Sequence, residues 1–209
     1  MAIVGTRIFI LHQSPLQVRI WQKILQSQNL SAIPLPVSTN LLQQIADLET
    51  KGMSLPDLIL LAEDLPNFNV EGCCQLLQNR PEPIPVILLA NQMQKISTLN
   101  RQQAIGIGAA DILPQFDPET FAIEAVNALK AITKIVEGID LNNNELIQCL
   151  MSLKRDLANN APIRTAAVSS ARTTAAKKIE VDAESNTTES AEVDAPQPSQ
   201  KRIYRGRSY

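Results

Sequence analysis

One histidine and three cysteines are all that 209 residues offer to a zinc site or a disulfide framework. Cys73, Cys74 and Cys149 are odd in number, adjacent cysteines rarely pair, and no His/Cys cluster has ligand spacing. No stretch approaches the ~18 apolar residues that a membrane span requires. The opening residues, MAIVGTRIFIL, lack a basic region followed by an apolar stretch and a small-residue cleavage site, so no signal peptide is expected. No large excess of one charge exists either, with 19 basic against 21 acidic side chains. The balance is uneven, however: 11 basic and 15 acidic residues through Asn159 give −4, and 8 against 6 in the remainder give +2. These absences lead us to expect a soluble cytoplasmic protein without metal, cofactor or membrane span.

The apolar residues that are present crowd the first 160 positions. Four short runs rich in Leu, Ile and Val predict strands: Arg7–Leu11, a weaker Ala32–Leu35, Leu58–Leu61 and Val86–Leu89, with Asp111–Leu113 as a fifth. Continuous runs of this kind suit strands buried on both faces of a parallel sheet. Between them lie helical patterns. Pro15–Gln28 follows Ser14 as an N-cap, with Val18, Trp21, Ile24 and Leu25 on one face. Ser38–Glu49, Cys73–Gln78 and Lys95–Ala104 are further helices, and Asp117-Pro118-Glu119 opens a long one through about Val136. The alternation βαβαβαβαβα predicts an open, doubly wound α/β sheet.

An additional amphipathic helix is expected over 139–159, capped by Asn143 or Asn144. Its Leu146, Leu150, Leu153 and Leu157 recur at spacings of four, three and four. Such a stripe ordinarily packs on its own domain; the sharper alternative is a homodimer seam, for which two heptads are short. From Asn160 the periodicity ends. Residues 160–200 are predicted to be a disordered linker, because too little apolar area is available to offset the entropy of ordering. Residues 201–209 differ, since Lys201, Arg202, Arg205 and Arg207 surround Tyr204, Gly206 and Tyr209, the two tyrosines being the only ones in the chain. Arg and Tyr dominate interface hot spots and also stack on bases, so this tip is a candidate partner-binding motif for protein or nucleic acid.

Residues 55–113 carry a more specific pattern. LPDLILLAEDLPNFNVEG is followed by the Cys74–Leu77 helix, by IPVILL, and by Gly108-Ala109-Ala110-Asp111-Ile112-Leu113. These landmarks, in this order and spacing, resemble the receiver domains of response regulators in two-component signalling, over roughly residues 6–136. The resemblance implies a flavodoxin-like five-stranded parallel sheet of order 2-1-3-4-5, with the site at the C-terminal strand ends. It also implies a set of catalytic positions: an acidic pair that binds Mg²⁺, a phosphoacceptor aspartate, a Ser or Thr, and a lysine. Those positions fall on His12 and Gln13, on Ala62, on Ala90 and on Gln115. All five family residues are absent, so the resemblance implies a pseudo-receiver without phosphoryl transfer, not an enzyme, whose old pocket is vestigial. Glu63 and Asp64 follow Ala62, but successive strand residues face opposite ways, and only Asp64, in the loop, reaches toward the pocket mouth.

Several single residues have plainer readings. His12 is read first as a strand-end group, with a pH switch as the alternative. Cys73 and Cys74 open their predicted helix, where the dipole would lower a thiol pKa, but small core residues are the ordinary reading. Gly106-Ile107-Gly108 precedes a strand instead of following one, so it is a helix-ending turn and not a phosphate loop. The function expected is a non-catalytic signalling adaptor that binds protein through the fourth–fifth helix face, within a signalling, motility or other regulatory complex, and carries the 201–209 motif on its linker. Nucleic-acid binding through the tail, or sensing of a small ligand in the vestigial pocket, are the alternatives. Residues 160–209 are too poor in apolar residues for a helix-turn-helix, which argues against a receiver-driven transcription factor.

Overall fold

The computed structural model describes residues 5–91, 96–117 and 119–160, with side chains through Leu157. Its elements are β1 (Arg7–Leu11), α1 (Pro15–Gln26), β2 (Ser31–Pro34), α2 (Leu41–Thr50), β3 (Leu58–Ala62), α3 (Val70–Gln78), β4 (Val86–Leu89), α4 (Thr98–Gly106), β5 (Asp111–Leu113), α5 (Phe121–Ile135) and α6 (Asn143–Asn160). The five strands form one parallel sheet of order β2-β1-β3-β4-β5. This is the flavodoxin-like order, in which the chain reverses its winding direction beside β1. Every residue of β3 and of β4 is buried, as their uninterrupted apolar runs require of strands covered on both sides.

Alternation along the strands divides the core into two layers. Ile8, Ile10, Leu58, Leu60, Ile87, Leu89 and Leu113 face α1, α5 and α6. Phe9, Leu11, Ile59, Leu61, Val86, Leu88 and Ile112 face α2, α3 and α4. No helix among the described residues is long and apolar enough to cross a membrane.

Caps set the helix boundaries, and several differ from those predicted. Ser14 caps α1 as expected, and Pro15 occupies its first turn. The buried stripe of α1 is Gln17, Ile20, Trp21, Ile24 and Leu25, so Val18 is only partly buried. Asn69 caps α3 by accepting the Gly72 N–H at 2.9 Å, starting that helix three residues before Cys73. Ser97 caps α4 through the Asn100 N–H at 3.1 Å, so that helix begins after the predicted Lys95. The long helix opens at Phe121, not Asp117, with the Thr120 hydroxyl donating to Glu124 at 2.6 Å. Gly108, at φ +92°, turns the chain from α4 into β5; an added Cβ would lie 2.7 Å from the Gln78 side chain and 3.3 Å from the Cys74 backbone.

The helix expected over 139–159 is Asn143–Asn160, and its cap is Asn142, whose Oδ1 accepts the N–H groups of Asn144 and Glu145 at 3.1 and 3.2 Å. Asn143 and Asn144 do not take that role. Asn142 is itself fixed by Gln28, which accepts its N–H at 2.8 Å and donates to its carbonyl at 3.3 Å. Leu146 and Leu153 are buried in the α1–α5 layer, and Leu150 and Leu157 pack against it partly buried. The leucine stripe is therefore turned onto α1 within the chain and does not form an outward seam. Lys23 of α1 pairs with Asp156 of α6 at 2.6 Å, and the Cys149 thiol donates to the Lys23 carbonyl at 3.3 Å. The predicted linker beyond Asn160 and the motif at Lys201, Arg202, Tyr204, Arg205, Gly206, Arg207 and Tyr209 lie outside the described residues.

Candidate functional site at the strand ends

Parallel pairing carries the C-terminal ends of the central strands to one edge of the sheet. Leu11 stands beside Leu61, Ala62 beside Leu89, and Leu89 beside Leu113. His12, Gln13, Ala62, Ala90 and Gln115 follow or terminate these strands, so the positions singled out in the sequence converge as the topology requires. Ala62 is fully buried and Ala90 nearly so; the Ala90 N–H donates to the Leu113 carbonyl at 2.9 Å. Neither side chain presents more than a methyl group.

His12 is buried, and its Nδ1 accepts the Ser14 N–H at 2.9 Å. An accepting Nδ1 belongs to a neutral ring protonated at Nε2. Burial lowers the His12 pKa from 6.5, while the nearby Asp64 carboxylate opposes that shift. The two acidic residues after Ala62 diverge, as alternation predicts. Glu63 turns toward β4 and accepts the Asn91 N–H at 3.1 Å. Asp64 turns toward β1, where it accepts a hydrogen bond from the Gln13 amide. The Asp64 carboxylate is thus bridged to the loop after β1.

The site that the resemblance implies would place Mg²⁺ among several carboxylate oxygens. Here the end of β1 carries an imidazole and an amide, His12 and Gln13, and Asp64 is hydrogen-bonded to that amide. This donor set does not fit the ion. Among the described residues, no group of three or more His, Cys, Asp or Glu side chains is placed to hold a metal.

Gln17 is a site residue that the helical pattern concealed. Buried at the start of α1, it donates its amide to the Phe116 carbonyl at 3.0 Å and accepts the Phe116 N–H at 3.2 Å. Phe116 packs on Trp21, with ring centroids 4.6 Å apart. The loop carrying Gln115 is thus clamped to α1 by two hydrogen bonds and an aromatic contact. A polar residue in register with Ile20, Trp21 and Ile24 was the available signal. Beside this clamp lies a cavity of about 250 Å³ lined by Ser14, Leu16, Ile20, Gln115, Phe121 and Leu157, among others.

Cys73 and Cys74 lie inside α3, not at its first residue, and both are buried in the second layer. Desolvation pushes the Cys73 thiol up to about 12, with Cys74 adding to the shift, and pushes Cys74 up to about 11. The helix-dipole effect entertained for them is overridden by burial.

The strand order and the two helical layers define a flavodoxin-like fold. No family model and no curated protein matches the chain. Among solved structures, the chain is similar to a response regulator receiver protein from Burkholderia phymatum, with 16% identity, covering 66% of this chain and 100% of that one at a TM-score of 0.49. A response regulator in red light signaling of R. palustris has 17% identity, covering 65% and 96% at 0.49. The Mn²⁺-bound form of response regulator Rcp1 has 15% identity, covering 66% and 99% at 0.48.

Proposed function

We propose that this chain is a cytoplasmic pseudo-receiver: a signalling module that binds protein partners as a non-catalytic adaptor and does not pass a phosphoryl group. The observation that carries this reading is Ala62, a buried methyl group where the phosphoacceptor carboxylate of a receiver would stand. Phosphoryl transfer needs in-line attack by a placed nucleophile and neutralisation of developing charge. Asp64 begins from a hydrogen bond to Gln13, and Gln115 supplies no cation. Partner binding is assigned to the α4–α5 side, where Ile105 and Ile123 are exposed, and the 201–209 motif supplies a second, tethered contact.

Incubation with acetyl phosphate and Mg²⁺, followed by intact-mass analysis, tests the loss of transfer. No phosphoryl adduct is expected on the wild type; an adduct mapped to Asp64 would overturn the reading. Capture from source-cell extract by the full chain and by a version ending at Asn160, each with and without nuclease, tests the adaptor role. Nuclease-resistant proteins lost with residues 161–209 are expected, whereas partners lost on nuclease treatment would favour nucleic-acid binding through the tail. A small-ligand sensor using the strand-end positions is the second reading, although the cavity of about 250 Å³ beside Gln115 is lined by only one of those five positions and is smaller than an ordinary metabolite pocket. A metabolite that co-purifies and raises the melting temperature would identify it.

A further inference from the structure

Between α3 and α4, away from the Gln115 cavity, lies a groove of about 260 Å³. Its floor is apolar, formed by Val70, Leu88, Ala104, Ile107 and Ile112, with the Asn100 and Gln103 amides along the α4 side. Glu63 and Glu71 stand at its rim. Each uses Oε1 locally, Glu63 for the Asn91 N–H and Glu71 for the Gln75 amide at 3.3 Å. No hydrogen bond engages either Oε2 among the described residues, and a carboxylate retains acceptor capacity after one bond.

Among the described residues, these two carboxylates are the only charged side chains that line the groove. Arg101 of α4 is paired with Asp111 at 2.9 Å, and Arg80 beyond α3 is paired with Glu49. Small-molecule pockets usually run about 300–1,000 Å³, so this groove suits a single anchoring side chain better than a whole metabolite.

We propose that the α3–α4 groove docks a cationic peptide segment of a partner protein, with one aromatic side chain seated on the apolar floor and flanking Arg or Lys residues paired with Glu63 and Glu71. The proposal deepens the reading of the chain as a binding module and rests on it for the existence of a partner. It assigns a recognition chemistry to a face other than the α4–α5 side. The aromatic ring buries apolar area, the rim charges select the sign of its neighbours, and the Asn100 and Gln103 amides can receive a phenol or backbone group.

The probe is a pentapeptide with one tyrosine between paired arginines, titrated into the full-length ¹⁵N-labelled protein and followed by amide chemical shifts. Shifts are expected to concentrate at Val70, Glu71, Asn100, Gln103 and Ile107 and to weaken as salt is raised. Replacing the peptide's tyrosine by alanine should weaken binding, and a glutamate-flanked peptide should not bind. Glu63→Gln and Glu71→Gln should each weaken it by about two- to fivefold. Three results would overturn the proposal: shifts spread equally to Asp57 and Glu145, binding unchanged in the double variant, or groove shifts that follow protein concentration without peptide, which would make a second copy the occupant. The acetyl phosphate assay reads phosphoryl transfer independently, so groove binding with phosphorylation would retire the pseudo-receiver reading alone.

Discussion

Gln17 and His12 show how a few polar atoms shape an otherwise apolar strand-end region. Gln17→Ala removes both partners of the Phe116 backbone and leaves a buried N–H and a buried carbonyl unpaired. Each orphaned group costs about 1–3 kcal/mol, so the variant should lose about 2–6 kcal/mol in urea unfolding. Unchanged stability would mean that the clamp is not buried as described. His12 makes the opposite kind of prediction, one about pH. Its pKa is lowered by folding from 6.5, so the folded chain binds fewer protons there than the unfolded chain. Its contribution is complete above 6.5 and is lost as pH falls through the lower folded value. His12→Asn keeps an acceptor for the Ser14 N–H but cannot titrate. Between about pH 7.5 and pH 5.5 the wild-type urea midpoint should therefore fall further than that of the variant. Parallel pH profiles would rule out His12 as the source.

At the scale of elements, α6 separates two kinds of contribution. Leu153 is buried against the α1–α5 layer, and Leu153→Ala should destabilise by about 2–4 kcal/mol, as deletion of a core leucine typically does. Asp156→Asn breaks the pair with Lys23, but both side chains are substantially exposed and water competes for their charges. It should leave the midpoint nearly unchanged, and a loss matching that of Leu153→Ala would show that the ion pair, not the stripe, holds α6. A third variant tests a turn: Gly108→Ala places a side chain at φ +92° beside the Cys74 backbone and should cost about 1–3 kcal/mol in the same unfolding assay.

The elements were legible in unequal measure, for physical reasons. Strands such as Leu58–Leu61 announce themselves because both faces are covered. Helix starts depend on local side-chain geometry: Asn69 and Ser97 each cap a helix away from the position that apolar periodicity suggested. Gln17 escaped notice because its burial is made favourable by the Phe116 backbone, ninety-nine residues away, which no local pattern encodes. That His12, Ala62 and Ala90 stand at strand ends was legible from the apolar runs, whereas the bridge from Gln13 to Asp64 required the fold.

For the whole molecule, the sequence motifs and the packing draw different boundaries. The receiver-like pattern covers 6–136, but among the described residues the compact unit continues beyond it and includes α6. The reason lies on α1 and α5, whose apolar layer continues into Leu146 and Leu153. Burying a leucine side chain contributes about 1.5–3 kcal/mol, so two buried and two half-buried leucines form a large fraction of the ~5–15 kcal/mol that holds an ordinary domain folded. A version ending at Val136 would expose that layer, while a version ending at Arg164 would keep it covered. The shorter chain should retain helical far-UV circular dichroism, unfold at a lower urea concentration, and bind the hydrophobic dye ANS in native buffer. The longer chain should match the full-length protein in urea midpoint. Equal midpoints for all three, with no dye bound by the shortest, would mean that the domain closes at Val136 and that α6 adds nothing to its stability.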